Sequence, residues 1–466
     1  MADSGYTQIL IYALNYADRM LEEVPYLRYS TERSLGYLWR LRNPAERAVV
    51  VTSEPVDPYT LEYHFRDVFG FDDRTAASAR DRLTLLTPAS HRVRPLDDLV
   101  LADDGLVRAL RDAAGTTARA EIVHFMASDS LDELARQTGA ELDEGPVRLA
   151  ARWGSKAGSK EILLRAGVPV PRGGAGLLRS EQEVAAAVAD LTAALDRPRH
   201  VLVKLSASTW AASVGNVLVD CEKYAATGDL LGSAEVVRMP AREFRRELAA
   251  GGAIVEEFLE DVTSSPSGQG HIAADGTVRV VSSHDQVLSG GQYWGCRYPA
   301  GERWRPVLTD AVARTGAVLA EVGHRGSFGV DFVIAGERGP LAVEINLRKV
   351  GPSHVLRYAE ALVGREADTD GTLRRPDGQP VAYVHGRILD PEALGRLDPE
   401  TAVERLRDLD LLYRRDRGEG VALHVLGALK TCGFVEITAL AATPEAAERY
   451  SEAARTALLR PAWPDR

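Results

Sequence analysis

Cysteine is scarce in this chain: three residues in 466, Cys221, Cys296 and Cys432, lie far apart with no C-x-x-C pair. That spacing excludes a disulfide framework and a zinc ribbon and suits a reducing compartment. A basic surplus is also missing. The formal net charge is −11, and a nucleic-acid surface needs clustered excess Lys and Arg, so nucleic acid is excluded as the main partner. No apolar run reaches the roughly 18 residues of a membrane span, and the opening MADSGYTQIL has no basic segment followed by an apolar one. A soluble cytoplasmic protein with no membrane partner is expected. Internal repeats and low-complexity tracts are absent. So is any Ser-His-Asp or Cys-His pattern that would mark a nucleophilic side chain.

What is present is ordinary globular composition, 45% apolar and 26% charged, in a chain long enough for two or three domains. Over residues 1–150 the segments TQILIYAL, RAVVVTS, RLTLLTP and AEIVHFMA read as strands. Helical patterns fall between them at 61–69, 96–113 and 130–138, the last with Ser130 as N-cap. Strands alternating with helices predict an open parallel α/β sheet. Its first strand, in LIYALNYADRM, lacks a dinucleotide fingerprint. Residues 151–365 hold a helix over 159–166, the strands HVLVKLS and AIVEEFLE, and a closing pair, GSFGVDFVIAG and PLAVEINL. A polar stretch, READTDGTLRRPDGQ, reads as a linker or exposed loop. Strand, helix, strand, strand and helix then follow to residue 466, which predicts a small α+β domain.

Chemistry concentrates in the middle region. Asp331 in GVDFV and Glu344 in AVEIN are thirteen residues apart across the turn AGERGP, and Asn346 shares a strand face with Glu344. Antiparallel pairing would converge two carboxylates and an amide, hard ligands suited to Mg²⁺; the alternative is the wet face of a half-exposed strand. Lys204 interrupts the apolar strand VLVKLS, where a phosphate would supply its counter-charge, unless the side chain snorkels to the sheet edge. Lys160 opens a helix behind GSKAGSK, at a position favourable for an anion, with Lys156 in the same loop read as solvated. The small and hydroxyl residues of SASTWAASVGN, with Ser206, Ser208 and Ser213, suit a loop over phosphates or a flexible linker. In IVEEFLED, Glu256 and Glu257 belong either to an adenine-facing strand or to a charged edge strand.

In this order the motifs resemble those of ATP-grasp ligases over residues 150–360. Lys160 stands nine residues before Pro169, and VKLSAS, VEEFL, Asp331, Glu344 and Asn346 follow. The flanks WGSKAGSKEILLRAGVPVP, SSHDQVLSGGQYWGCRYPA, EINLRKVGPSH and GVALHVLGALKTCGFVEITALAATPEAAERY are similar to the pheganomycin-type peptide ligases. That resemblance spans nearly the whole chain. It implies an α/β and α+β architecture, with a pre-ATP-grasp domain at 1–150, the ATP-grasp domain at 151–365, and a linker with a small C-terminal domain at 366–466.

The resemblance also implies residue roles. Lys160 and Lys204 would hold the ATP phosphates. Glu256 would face the adenine amino group, with the backbone of Glu257 and Leu259 on the ring edge. Asp331, Glu344 and Asn346 would bind Mg²⁺, usually two ions in this family. Arg348 would sit beside the transferred phosphoryl group, His354 and Ser353 in the acceptor pocket, and Arg297 and Tyr298 at a substrate carboxylate. Three positions depart from the pattern. The ribose-binding acid falls on Thr263, leaving Glu260 or Asp261 to serve; the arginine expected two residues before Asp331 is Gly329; a usual double glycine is Val350–Gly351.

The implied reaction is ATP-dependent ligation of a carboxylate to an amine through an acyl-phosphate. Amino acids or short peptides are the expected substrates, in specialised metabolism, with a γ-glutamyl linkage as open as an α-peptide bond. SASTWAASVGN and EDVTSSPSGQG are the lid candidates. A small-molecule phosphotransferase and a non-catalytic ATP sensor are the competing readings. A homodimer is compatible with all three.

Overall fold

A computed structural model of the chain describes residues 5–16, 18–90, 92–195, 198–206, 215–237, 239–289 and 292–460. Contacts divide it into two compact units, one of residues 1–146, 294–299 and 348–466, the other of 147–293 and 300–347.

In the first unit five parallel strands follow the order Leu83–Leu86, Glu46–Val51, Tyr6–Ile11, Arg119–His124, Glu141–Leu142. The open α/β sheet anticipated from the alternation is therefore present. Ile9, Ile11, Val49, Val51 and Ile122 form its core with Leu96, Val100, Leu110, Leu131 and Leu134 from the covering helices. Local chemistry moves three helix boundaries from the expected positions. Ser128, not Ser130, caps Asp129–Thr138 by accepting from Leu131 N, while the Ser130 hydroxyl turns to Asp98. Residues 96–113 split into Leu96–Leu101 and Asp104–Ala114, because Asp103 accepts from Gly105 N and Leu106 N and starts a second helix. Asp57 likewise starts a helix at Pro58–Tyr63, which widens over His64–Val68.

The unit's second sheet is antiparallel and pairs residues 295–298 with Ala382–Leu389, then Phe434–Ala441, then Gly420–His424. Helix Pro444–Leu459 covers it, with Ala447 against Val384 and Ala441. The polar stretch before this sheet is an ordered loop: Leu373 is fully buried, Val381 N donates to Leu373 O, and Arg375 N donates to Gln379 O.

The second unit contains two antiparallel sheets. One runs Ala234–Val237, Asn216–Asp220, His200–Leu205, Ala253–Glu257. Its apolar face packs Val201, Val203, Val217, Val219 and Val255 against Val184 and Val188 of Glu181–Ala194 and Phe244 and Leu248 of Ala241–Gly251. The other sheet runs Val262–Ser264, Gly326–Ala335, Pro266–Ile272, Val278–Ser289, and Pro340–Asn346 also pairs with Gly326–Ala335. EDVTSSPSGQG is thus no lid along its whole length, since from Pro266 it is a strand paired on both sides.

Helix Arg305–Glu321 lies on one face of this second sheet, packing Leu308, Val312 and Leu319 with Phe328, Val330 and Ile345. Gly268 allows that approach, because a Cβ there would run into Val312, and Gly270 makes room for the ring of Phe328 on the neighbouring strand. With the glycines on the helix side, Ser267 and Gln269 point to the opposite face.

Candidate active site

Helix Lys156–Arg165 begins three residues before the expected start, where Ser155 accepts from Gly158 N. Its N-terminus is tied down by Ser206, whose carbonyl accepts from Lys156 N at 2.9 Å and whose hydroxyl accepts from Ala157 N at 3.1 Å. Ser206 is therefore committed to the helix start. Ser208 and Ser213 lie outside the described residues.

Lys160 and Lys204 converge on one carboxylate. Lys160 Nζ donates to Glu256 Oε1 at 2.6 Å and to Pro171 O at 3.0 Å, and Lys204 Nζ lies 2.5 Å from Glu256 Oε2. All three side chains are buried. Burial alone would raise the Glu256 carboxyl, but Lys204 and Lys160 hold it below the ordinary carboxylate range, while burial pulls Lys160 down. The counter-charge expected of a phosphate at Lys204 is thus supplied by Glu256. Two ammoniums on one carboxylate still leave a surplus positive charge, which favours an anion nearby.

The neighbours of Glu256 are less open than the resemblance implied. Glu257 takes Arg172 N at 2.6 Å and a two-pronged contact from Arg338 at 3.0 and 2.8 Å, and its own amide donates to Arg172 O. Leu259 is half-buried; Glu260, Asp261 and Thr263 are exposed. Asp261 O accepts from Gly336 N.

The metal-type residues meet as the hairpin predicts: Asp331 opposes Glu344, and Gly329 opposes Asn346. Asn346 Nδ2 donates to Asp331 Oδ2 at 2.9 Å. A bulge between Asp331 and Phe332 interrupts the ladder at this point, a device that re-aims side chains beside functional sites. Lys156, expected to be solvated, instead forms an ion pair with Glu344. Its ammonium stands in for a cation, and the donors are hard oxygens, so the set fits Mg²⁺.

Further polar residues continue from this pair. Gln286 Nε2 donates to Asp331 Oδ1 at 2.7 Å. The registers generate two cross-strand rungs on one face, His284–Ser267–Asp331–Glu344 and Ser282–Gln269–Gly329–Asn346. None of Ser267, Gln269, Ser282, His284 or Gln286 was anticipated from sequence. Their signal lay in SPSGQGHI, where hydroxyl and amide alternate with glycine, and in SSHDQV, where Ser282, His284 and Gln286 share one parity.

The remaining candidates belong to the first unit. Arg348 stacks over Phe125 at 5.3 Å from the ring centre and donates to Lys349 O. Lys349 is buried on Asp143 and on Glu144 at 2.6 Å. Ser353 Oγ accepts from Val350 N and starts helix Gly351–Val363. His354 is fully enclosed, not open to an acceptor: Nε2 lies 3.1 Å from Glu436 Oε2, and burial pushes its pKa down to about 4. His354, His385 and Glu436 are close enough to suggest a metal centre. Arg33 at 2.6 Å and Arg387 at 3.1 Å already occupy Glu436, however, and a divalent ion would add charge to a core that is already net positive. Arg297 and Tyr298 are likewise engaged rather than presented to a carboxylate. Arg297 pairs with Glu448 at 3.2 Å, and the Tyr298 hydroxyl bridges Gly371 O and Leu373 N.

Comparisons with known proteins extend this geometry. Residues 38–140 match the family described as the Pre ATP-grasp domain, and residues 401–454 the PGM1 C-terminal domain. Over 461 residues, 99% of this chain and 96% of the relative, the sequence is 66% identical to the L-propargylglycine–L-glutamate ligase of Streptantibioticus cattleyicolor. Among solved structures, the biotin carboxylase β,γ-ATP complex from Campylobacter jejuni matches with a TM-score of 0.60 at 14% identity, covering 96% of this chain and 90% of that one. The ADP complex of N5-carboxyaminoimidazole ribonucleotide synthetase matches at 0.56 and 14% identity, covering 98% and 97%. At that identity the likeness is one of fold. Among the described residues no helix is long and apolar enough to cross a membrane.

Proposed function

Because this chain belongs to the ATP-grasp family of carboxylate–amine ligases, we propose that it joins L-glutamate to a small L-amino acid such as L-propargylglycine. The substrates are those in its relative's name. The observation that carries the reading is the register that sets Asp331 against Glu344 with Asn346 bonded to Asp331.

A carboxylate is a poor electrophile because its oxygen leaves badly. Transfer of the terminal phosphoryl of ATP to that oxygen yields an acyl-phosphate and ADP; the amine then attacks the acyl carbon and phosphate departs. Asp331, Glu344 and Asn346 would hold Mg²⁺, two ions in our reading, and the metal would offset charge on the transferring phosphoryl. Lys160 and Lys204 carry the surplus positive charge suited to the ATP phosphates, and Glu256 keeps both ammoniums in place. We assign residues 1–150 to the pre-ATP-grasp domain, 151–365 to the nucleotide and metal site and 366–466 to the linker and C-terminal domain, in a cytoplasmic enzyme compatible with a homodimer.

Incubation with ATP, Mg²⁺, L-glutamate and L-propargylglycine tests this directly. Phosphate should appear only when both amino acids are present, with a product whose mass is their sum less one water. ADP formation with one substrate alone, together with a stable phosphorylated product and no free phosphate, would instead establish a phosphotransferase.

A further inference from the structure

The polar face that carries Asp331 and Glu344 extends two strands beyond them, and nothing in the ligation chemistry described above uses that extension. Ser267 and Ser282 are almost completely buried, at 3% and 1% exposure, yet neither hydroxyl has a hydrogen-bond partner. An unsatisfied buried hydroxyl is costly, and such groups usually mark an unfilled role. Gln269, opposite Ser282, lies with Nε2 3.2 Å from His284 Nδ1. The two side chains share a hydrogen bond across the strand pair. Burial keeps the His284 ring neutral, pushing its pKa down to about 3. Between Gln269 and Asn346 the rung carries Gly329, which has no side chain to fill the space.

We infer that Ser267, Gln269, Ser282 and His284 form the floor of a subsite for the second carboxylate of a dicarboxylic amino acid. Its reacting carboxylate would lie at the Asp331 and Glu344 end. Two strand spacings separate the Asp331 strand from the Ser282 strand, roughly 9–10 Å. That span accommodates a short dicarboxylate laid across the sheet, one end to be phosphorylated and the other received by hydroxyl and amide donors. The donors are uncharged, so the subsite would favour a substrate that brings its own charge into a dry pocket, where hydrogen bonds to an ion are strong.

This rests on the ligase reading above, and the test separates the two. Steady-state kinetics on the full-length enzyme would compare wild type with Ser282→Ala, Ser267→Ala and Gln269→Leu, varying L-glutamate, L-glutamine and ATP in turn. The variants should lower kcat/KM for glutamate about ten- to a hundredfold, the usual effect of losing a buried hydrogen bond to a charge. They should narrow the preference for glutamate over glutamine and leave the KM for ATP within about twofold, because the phosphate lysines are elsewhere. Ser282→Thr, which restores a hydroxyl, should recover part of the preference. An unchanged glutamate-to-glutamine ratio in all three variants, with wild type active, overturns the subsite alone. Equal loss for every substrate together with a lowered melting temperature assigns these residues a structural role and overturns it too. A wild type that makes no product from any amino-acid pair removes the ligase reading, and the subsite with it.

Discussion

Lys160 and Lys204 share Glu256, so none of the three can be changed in isolation. Lys204→Ala removes one ammonium from the proposed phosphate site while Lys160 still neutralises Glu256. The protein should therefore fold, with phosphate release reduced at least a hundredfold and an elevated KM for ATP. Glu344→Gln keeps the shape of the side chain but removes a negative ligand and the Lys156 pair. Turnover should fall by a similar factor, and raising Mg²⁺ should recover part of it if the defect is metal affinity; wild-type turnover in either variant refutes the assignment. Lys349 is a different case. Its buried ammonium faces Asp143 and Glu144, and although burial would lower its pKa, those two carboxylates raise it. Lys349→Met would take the ammonium from the buried Glu144 and the half-buried Asp143, at about 3–5 kcal/mol by analogy with other broken buried pairs, seen as a lower urea midpoint.

Strands and helices were legible from sequence wherever a period was clean. HVLVKLS, GSFGVDFVIAG and PLAVEINL became strands, and the hairpin spacing was enough to set Asp331 against Glu344. Boundaries were less legible because several capping side chains compete within one or two residues, as Ser128 and Ser130 do. The polar face of the second antiparallel sheet was missed for another reason. Its residues come from segments far apart in the chain, and only the register reveals that Ser282, Gln269 and Asn346 fall on one line. The roles given to Arg297, Tyr298 and His354 came from motif order, which says nothing of the partners that Glu448, Gly371 and Glu436 supply. At this scale the glycines of SPSGQGHI make a prediction. Gly268→Ala would push a methyl into Val312 beneath helix Arg305–Glu321. It should cost about 1–3 kcal/mol through overpacking, read as a lower melting temperature with an unchanged glutamate-to-glutamine preference.

Across the molecule, acid sensitivity should come mainly from the buried histidines of the first unit. His354, His385 and His424 stand with ring centres 5.4–5.9 Å apart around Glu436, and His64 lies nearby against Tyr358. Burial holds all four rings neutral: His64 and His354 fall to about 4, and His385 and His424 well below the ordinary value. An unfolded histidine titrates near 6.5, so between that pH and about 4 the unfolded chain binds protons the folded chain refuses, and stability falls as pH falls. For His354 alone the full shift corresponds to about 3 kcal/mol. Glu436 acts in the same direction but later. Burial would raise its carboxyl, yet Arg33, His354 and Arg387 hold it far down, so its contribution is lost only below the usual carboxylate range. Glu32 opposes them, since burial lifts it to about 7 and its contribution is lost as pH rises. Burial lifts Asp97 and Glu121 as well, by less, and four rings against three carboxyls leave acid destabilisation as the net effect. Urea midpoints measured between pH 7 and 4.5 should therefore decline steadily, and His354→Gln should flatten that decline by about one proton. A midpoint independent of pH over this window would show that the cluster is already open to solvent and protonated in the folded protein.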